Sequence, residues 1–463
     1  MASENTDPAP LGGPLTFNFS GKTAPNRFLK AAMTERLSTW DPVDLPRRGI
    51  PTKELINAYR RWGEGVPGVN VTGNMMITYE HLEHAGNAII PPDAPFSGER
   101  FHAFKELATE AKRYGSLIVG QVSHPGRQVS SDLVQDTISA SDVRLQFKGK
   151  KGATMFAKPH PASKAEIDDI VERFAHAAEF LYKAGFDGIQ LHGAHGYLLA
   201  QFLSQTTNLR TDEYGGPLSN RARLILEIAT RIRARVPAST GFMLAIKLNS
   251  VEFQRGGITP EECRDLCAML QNQAQFDFVE LSGGTYQTNA FKRHNKDPQS
   301  STAKREAFFL SFAEIIAPTL STTRVYLTGG FRSVAGMRHA FDNTSIDGIG
   351  VGRPLCQEPL LLRLILSGQV TAAKATPLDD AEFVIATVAA GTQIRQLGFD
   401  QQPLDLSEKG DLEVLQNDSA GWFARMKADK EKRMVGFVDV VSKKAVPYSP
   451  KMGVPELRVR GRL

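Results

Sequence analysis

Short runs of apolar and β-branched residues recur along the chain, each closing on glycine or a polar side chain, with longer stretches of helical period between them. Eight runs stand out: RFLKAAMT (27–34), GVNVTG (68–73), LIVGQVS (117–123), FDGIQLH (186–192), MLAIKLN (243–249), FDFVELS (276–282), RVYLTGG (324–330) and DGIGVG (347–352). Each has the length and composition of a buried strand. Between two of them, EIDDIVERFAHAAEFLYKAG sets Ile167, Ile170, Val171, Phe174 and Ala178 on one helical face and stops at Gly185. LSNRARLILEIATRIRARVP does the same with Leu224, Ile225, Ile228 and Ile232 and stops at Pro237. Strand alternating with helix predicts a parallel sheet, and eight such units predict an α/β protein of the closed (β/α)8 TIM-barrel kind. The barrel is assigned to residues 1–365. Residues 366–463 form a C-terminal helical extension, in which AEFVIATVAAGTQIRQLG reads as one helix and a second carries Trp422, Phe423 and Met426 on one side. That face packs on the barrel, mediates contact in a homo-oligomer, or covers the site as a lid; the sequence leaves the three open.

Side chains alternate faces along a strand, and in a barrel one face points to the axis. Gln121 and Ser123 oppose Ile118 and Val122; Gln190 and His192 oppose Ile189 and Leu191; Lys247 and Asn249 oppose Ile246 and Leu248; Glu280 and Ser282 oppose Val279 and Leu281. Polar groups therefore gather at the C-terminal strand ends, where barrel enzymes do their chemistry. Each one left unpaired in the interior costs about 1–3 kcal/mol, so a polar ligand at that mouth is the simpler explanation.

Composition narrows the reading by exclusion. The 463 residues are 41% hydrophobic and 23% charged, with a net charge of +5 from interspersed signs. The basic segments FKGKKGATMFAKPHP and ELRVRGRL are local and lack interleaved aromatics, so no nucleic-acid partner is expected. No apolar run reaches the roughly 18 residues that span a bilayer, and the opening MASENTDPAPLGGPLTF lacks the regions of a secretory signal, so no membrane partner is expected. Three cysteines, Cys263, Cys267 and Cys356, suggest a reducing compartment, with the cytoplasm as the default.

The last two strands point to a phosphate. YLTGGFRS and GIGVGRPL each end a strand in glycines followed by Arg332 or Arg353, and the loops after strands seven and eight are the usual phosphate site of this fold. An arginine fork suits such a group. GxGxxG is absent from the opening strand, which argues against a Rossmann dinucleotide site. At the end of the fourth strand, GFDGIQLHGAHGYLLAQFLSQ places His192, His195 and Tyr197 within six positions. A metal site there lacks further ligands, since neither HExxH nor a Cys/His cluster is present. His81 and His84, in ITYEHLEHAG, read as surface or lid residues.

HGAHGYLLAQFLSQTTNLRTDEYGGPLSNRARLILEI, supported by GQVSHPGRQ and GVGRP, resembles the Old Yellow Enzyme family of FMN-dependent ene reductases, or NADH:flavin oxidoreductases, from about residue 15 to about 365. The resemblance implies FMN across the barrel mouth. Ala32, Met33 and Thr34 lie beside the ring, with Thr34 hydrogen-bonding near O4. Gly73 and Gln121 contact the pyrimidine edge, Lys247 faces the N1/O2 side, and Gly330, Phe331, Gly352 and Arg353 surround the phosphate. Many relatives carry arginine where this chain has Lys247, a point charge without the planar fork. His192 and His195 bind the carbonyl oxygen of an electron-poor alkene, and Tyr197 protonates its α-carbon. NADH or NADPH reduces the flavin first, in a ping-pong cycle. Branches with an iron–sulfur cluster need four clustered cysteines, and here only Cys356 follows the barrel. Two other functions compete: a flavin-free barrel lyase or aldolase using Lys247 as a Schiff base, and a non-catalytic flavin-binding protein.

Overall fold

The computed structural model describes residues 5–146, 155–252, 256–282, 310–378 and 383–449. All eight predicted strands form. They are β1 (Phe28–Lys30), β2 (Val69–Val71), β3 (Leu117–Ser123), β4 (Gly188–Gly193), β5 (Met243–Asn249), β6 (Phe278–Ser282), β7 (Arg324–Thr328) and β8 (Gly348–Val351). Each pairs in parallel with the next, and β8 returns to β1 through Ile349 opposite Phe28, closing the barrel. Strand ends fall short of the sequence reading where the backbone turns away: β7 stops before Gly330, whose φ of +76° ends the ladder. Two short strands, Met75–Met76 and Ala88–Ile89, extend the sheet outward beside the upper end of β3 and carry residues 77–87 to the barrel mouth.

Helices fill the intervals: α1 (Lys53–Glu64), α2 (Gly98–Lys112), α3 (Lys164–Lys183), α4 (Arg223–Arg235), α5 (Pro260–Met269) and α6 (Val334–Asn343). Residues 310–316 are also helical. Local sequence sets several starts. Ser163 with Glu166 and Thr259 with Glu262 form reciprocal capping boxes on α3 and α5, while Thr52 and Ser333 cap α1 and α6. Cys263 and Cys267 lie buried on α5.

The strand parity read from sequence separates two cores. Outward residues such as Ile118, Val122, Leu191, Ile246 and Leu281 pack under the helices. The barrel interior is filled by Leu29, Val69, Val119, Met243, Ala245, Phe278 and Tyr326, and plugged by Leu15, Phe17 and Ala24 from an N-terminal hairpin. Phe278 sits between Phe17 and Tyr326, with ring centroids 5.6 Å and 5.4 Å away. Each such side chain contributes about 1.5–3 kcal/mol on burial, so the lower half is a solid floor and only the C-terminal mouth is left for polar groups.

Beyond the barrel, α7 (Phe383–Gly398) and α8 (Lys409–Ala428) make up the helical part of the extension. Asn57 of α1 donates its amide to the carbonyls of Leu397 and Gly398, and Arg61 pairs with Asp400. Of the face predicted on α8, Trp422 is buried but Phe423 is exposed. Among the described residues no helix is long and apolar enough to cross a membrane.

Candidate active site

At the end of β4 the chain must turn sharply into the short helix Leu198–Leu203. It does so with His195 at φ +58° and Gly196 at φ +77°. A left-handed histidine costs about 1–3 kcal/mol and persists only where surroundings hold it. Here Asn249 Oδ1, at the end of β5, accepts from the His195 backbone N–H at 3.1 Å. The turn folds three rings together: His192 lies 5.2 Å from His195 and 4.5 Å from Tyr197, centroid to centroid. Asn74 donates its amide to Tyr197 Oη at 3.2 Å.

Both imidazoles are neutral at physiological pH. Burial, followed by the nearby Lys247 charge, pushes His195 down to about 3. Burial, then His195 and Lys247, pushes His192 well below its usual range. The Ala194 backbone N–H points at His192 Nδ1 at 3.4 Å, which leaves the His192 proton on Nε2 as a donor. His195 Nε2 and Ser282 Oγ are 3.2 Å apart.

Beneath them runs a buried polar chain that crosses the barrel. Gln121 Nε2 donates to Gln190 Oε1 at 2.7 Å, and Gln190 Nε2 donates to Glu280 Oε2 at 2.8 Å. Glu280 Oε1 takes the Lys247 ammonium at 2.8 Å and the Thr328 hydroxyl at 2.7 Å. The sequence put Lys247 on the inner face; it did not pair it. Its charge is countered by a fully buried carboxylate, and a lysine held in such a pair is ill placed as a Schiff-base nucleophile.

Ala32, Met33 and Thr34 follow β1 at the mouth and are partly exposed. The Thr34 hydroxyl donates to Glu83 Oε2 at 3.0 Å. Gly73 is wedged so tightly that a Cβ there would lie 2.2 Å from both Met33 O and Glu35 Oε2. Across the mouth, Gly330 turns at φ +76°, Phe331 is buried, and Gly352 and Arg353 lead into the short helix Pro354–Gln357. A Cβ at Gly352 would make only ordinary van der Waals contacts, with Met33 Sδ at 3.8 Å and Ala31 Cβ at 3.9 Å.

Several residues escaped the sequence reading. The Glu35 carboxylate accepts from Tyr59 Oη and, at 2.9 Å, from the Gly73 N–H, bracing the segment after β1 from behind. Burial raises its pKa, against the opposing pull of Lys30. Lys30, buried over Trp62 and bonded to Val71 O, is held down to about 8 chiefly by desolvation. His81 and His84, read as surface or lid residues, lie in the loop at the mouth and are half-buried. Their partners are specific all the same: His81 Nδ1 meets His124 Nε2 at 3.0 Å, and burial pushes His84 down to about 4. The alternation rule gives no sign of this, because both lie in a loop. Pocket walls are expected from the loops 40–56, 144–160 and 284–305, of which the first is described, the second is described in part and the third lies outside the described residues.

The residues present fit a flavin. Gln121 Oε1, Ser123 Oγ and Asn249 Nδ2 are buried polar atoms without a protein partner, set at the strand ends that face the mouth. They offer both acceptor and donor chemistry of the kind a heteroaromatic edge satisfies. Among the described residues no cluster of three or more His, Cys, Asp or Glu could hold a metal ion.

Fold and site together define a (β/α)8 oxidoreductase of the flavin-binding class. Residues 11–371 match the model of the NADH:flavin oxidoreductase / NADH oxidase family. The chain is 48% identical over 429 residues to the NADH-dependent flavin oxidoreductase nadA of Aspergillus parasiticus, covering 93% of this chain and 95% of that one. It is 36% identical over 368 residues to the NADH-dependent flavin oxidoreductase iccE of Talaromyces variabilis, covering 75% and 84%. Among solved structures, morphinone reductase aligns with a TM-score of 0.62 at 19% identity, over 81% of this chain and 93% of that one. The old yellow enzyme homologue from Zymomonas mobilis aligns at 0.61 and 23%, over 79% and 94%. The chain belongs to the NADH:flavin oxidoreductase family, the Old Yellow Enzyme family, and is an FMN-dependent NAD(P)H oxidoreductase. That membership removes the flavin-free lyase and the non-catalytic flavin binder.

Proposed function

We propose that this oxidoreductase reduces the activated C=C bond of α,β-unsaturated carbonyl compounds, with His192 and His195 binding the carbonyl oxygen and Tyr197 protonating the α-carbon. The observation that carries this reading is the grouping of two neutral imidazoles and a phenol at one strand end, with rings 4.5–5.2 Å apart. Ala32, Met33, Thr34, Gly73, Gln121 and Lys247 would hold the flavin ring, and Gly330, Phe331, Gly352 and Arg353 its phosphate. FMN reduced by a nicotinamide supplies the hydride; the names of the relatives favour NADH.

The protein's own part is polarisation and proton delivery. His192 donates through Nε2 to an oxygen on which negative charge grows, so the contact strengthens toward the transition state. His195 joins it through Nδ1 when Ser282 donates to Nε2. Tyr197 gives up its phenolic proton, and the Asn74 amide is already directed at the oxygen left charged. The Lys247–Glu280 pair keeps a cation close to the flavin without leaving it unopposed in a dry site. The buried state of all three cysteines agrees with a cytosolic setting.

Reduction of 2-cyclohexenone, a nitroalkene and N-ethylmaleimide by NADH in D2O tests the reading. Deuterium is expected at the α-carbon of the 2-cyclohexenone product; a product without it there, or no alkene reduced by a protein whose FMN accepts electrons from NADH, overturns it.

A further inference from the structure

Tyr197 stands between two peptide planes, and Gln201 holds both. The Gln201 backbone N–H donates to Tyr197 O at 2.8 Å, the ordinary bond of a helical turn. Its side-chain Nε2 reaches back past the start of that helix and donates to Gly196 O at 2.7 Å. The opposite edges of the same two planes are also held. The Tyr197 N–H donates to Ala194 O at 3.3 Å, and the Leu198 N–H donates to His124 O at 3.0 Å. The two planes set the φ and ψ of Tyr197, and with them the direction in which its side chain leaves the backbone.

The clamp is built in the interior. Gln201 is 1% exposed, and all four hydrogen-bonding positions of its amide are filled. Nε2 also donates to Pro125 O at 3.1 Å, while Oε1 accepts from the Arg127 backbone N–H at 3.2 Å and from the Ser139 hydroxyl at 2.8 Å. The network fixes which end of the amide is nitrogen, since the reversed group would set carbonyl against carbonyl. Gly126, at φ +58°, makes room for it: a Cβ there would fall 2.2 Å from Gln201 Oε1. One amide thus ties the segment after β3 to the turn after β4.

We propose that Gln201 is a positioning residue for proton delivery: its amide, locked to the segment after β3, holds the Gly196 carbonyl and so aims the Tyr197 phenol at the acceptor. This rests on the reading of Tyr197 as the acid. His195 is held separately, by Asn249 on its backbone N–H, so the imidazoles keep their grip on the acceptor oxygen when the clamp is lost. A reacting group displaced by about 1 Å can cost about two orders of magnitude in rate. Acceptor binding and flavin reduction do not use the phenol.

The test follows both half-reactions of the holoenzyme by stopped flow. Gln201→Glu keeps the two acceptor bonds and sets a second oxygen against the carbonyls of Gly196 and Pro125. Gln201→Met removes every polar contact at similar volume. In each, the limiting rate of reoxidation by 2-cyclohexenone should fall about 10- to 100-fold. The apparent Kd for the enone and the rate of reduction by NADH should stay within about twofold of wild type. In a Tyr197→Phe background neither substitution should slow reoxidation further. Reoxidation at the wild-type rate, a matched loss in both half-reactions, slowing that persists in Tyr197→Phe, or loss of FMN from both variants would each overturn the proposal. If Tyr197→Phe alone reoxidises at the wild-type rate, it is the assignment of Tyr197 as the acid that has failed.

Discussion

Lys247 Nζ and Glu280 Oε1 meet at 2.8 Å across neighbouring strands of the barrel wall, with both side chains almost fully shielded from water. Removing one partner of such a pair strands the other charge, which costs about 3–5 kcal/mol. Lys247→Met and Glu280→Gln should each destabilise the protein by that amount in urea unfolding. The double substitution should cost clearly less than their sum. Additive losses would show that the two charges do not support each other.

Asn74 is expected to matter only once a proton moves. Its amide contacts the oxygen of Tyr197 at 3.2 Å. A hydrogen bond to a charged group contributes about 1.5–3 kcal/mol, so Asn74→Ala should slow the alkene half-reaction roughly 10- to 100-fold. Flavin reduction by NADH should stay near wild type. Stopped-flow spectroscopy of the two half-reactions separates the cases, and equal slowing of both would refute the assignment.

Two glycines of the mouth should answer differently to one added methyl. At Gly73 a Cβ would lie 2.2 Å from Met33 O and Glu35 Oε2, so Gly73→Ala should destabilise the fold by about 2 kcal/mol or more and displace the segment after β1. At Gly352 the nearest atom would be 3.8 Å away, so Gly352→Ala should leave the melting temperature within a degree or two. If the FMN phosphate approaches that backbone, the same substitution should still weaken FMN affinity several-fold, measured by fluorescence of released flavin. Unchanged affinity would move the phosphate elsewhere.

Acid should loosen the protein through its buried histidines. His195 is pushed down to about 3 and His84 to about 4, both mainly by burial, against the usual 6.5. The unfolded chain then binds more protons than the native one between those values. Stability is therefore whole above about pH 6.5 and lost as pH falls, at up to about 1.4 kcal/mol per pH unit for each histidine. Thermal unfolding from pH 7 to pH 4.5 should show a falling midpoint, less steep in His84→Asn. A flat profile would contradict the neutral-imidazole assignment.

How much of this was legible beforehand depends on the range of the interaction. The strands could be read because a buried parallel strand needs a local run of apolar residues with a turn at each end, and alternation alone placed Gln121, Gln190, His192, Lys247, Asn249 and Glu280 on the inner face. The Lys247–Glu280 pair and the Gln121–Gln190–Glu280 chain join residues far apart in sequence; shared parity on β5 and β6 is the one hint of them that the sequence carries. Loops carry no period. Asn74, Glu83, His81 and His84 therefore gave no signal of where they would meet Tyr197, Thr34 or His124. The tight turn after β4 is the exception, since HGAHGY compresses its chemistry into six positions.

The central claim is that Tyr197 delivers the proton while the imidazoles hold the acceptor. Tyr197→Phe, followed through both half-reactions by stopped flow, tests it most directly. The account predicts flavin reduction by NADH close to wild type and reoxidation by 2-cyclohexenone slowed by about 10²- to 10⁴-fold, the usual contribution of a general acid. Reoxidation at the wild-type rate, or a matched loss in both half-reactions, would contradict it.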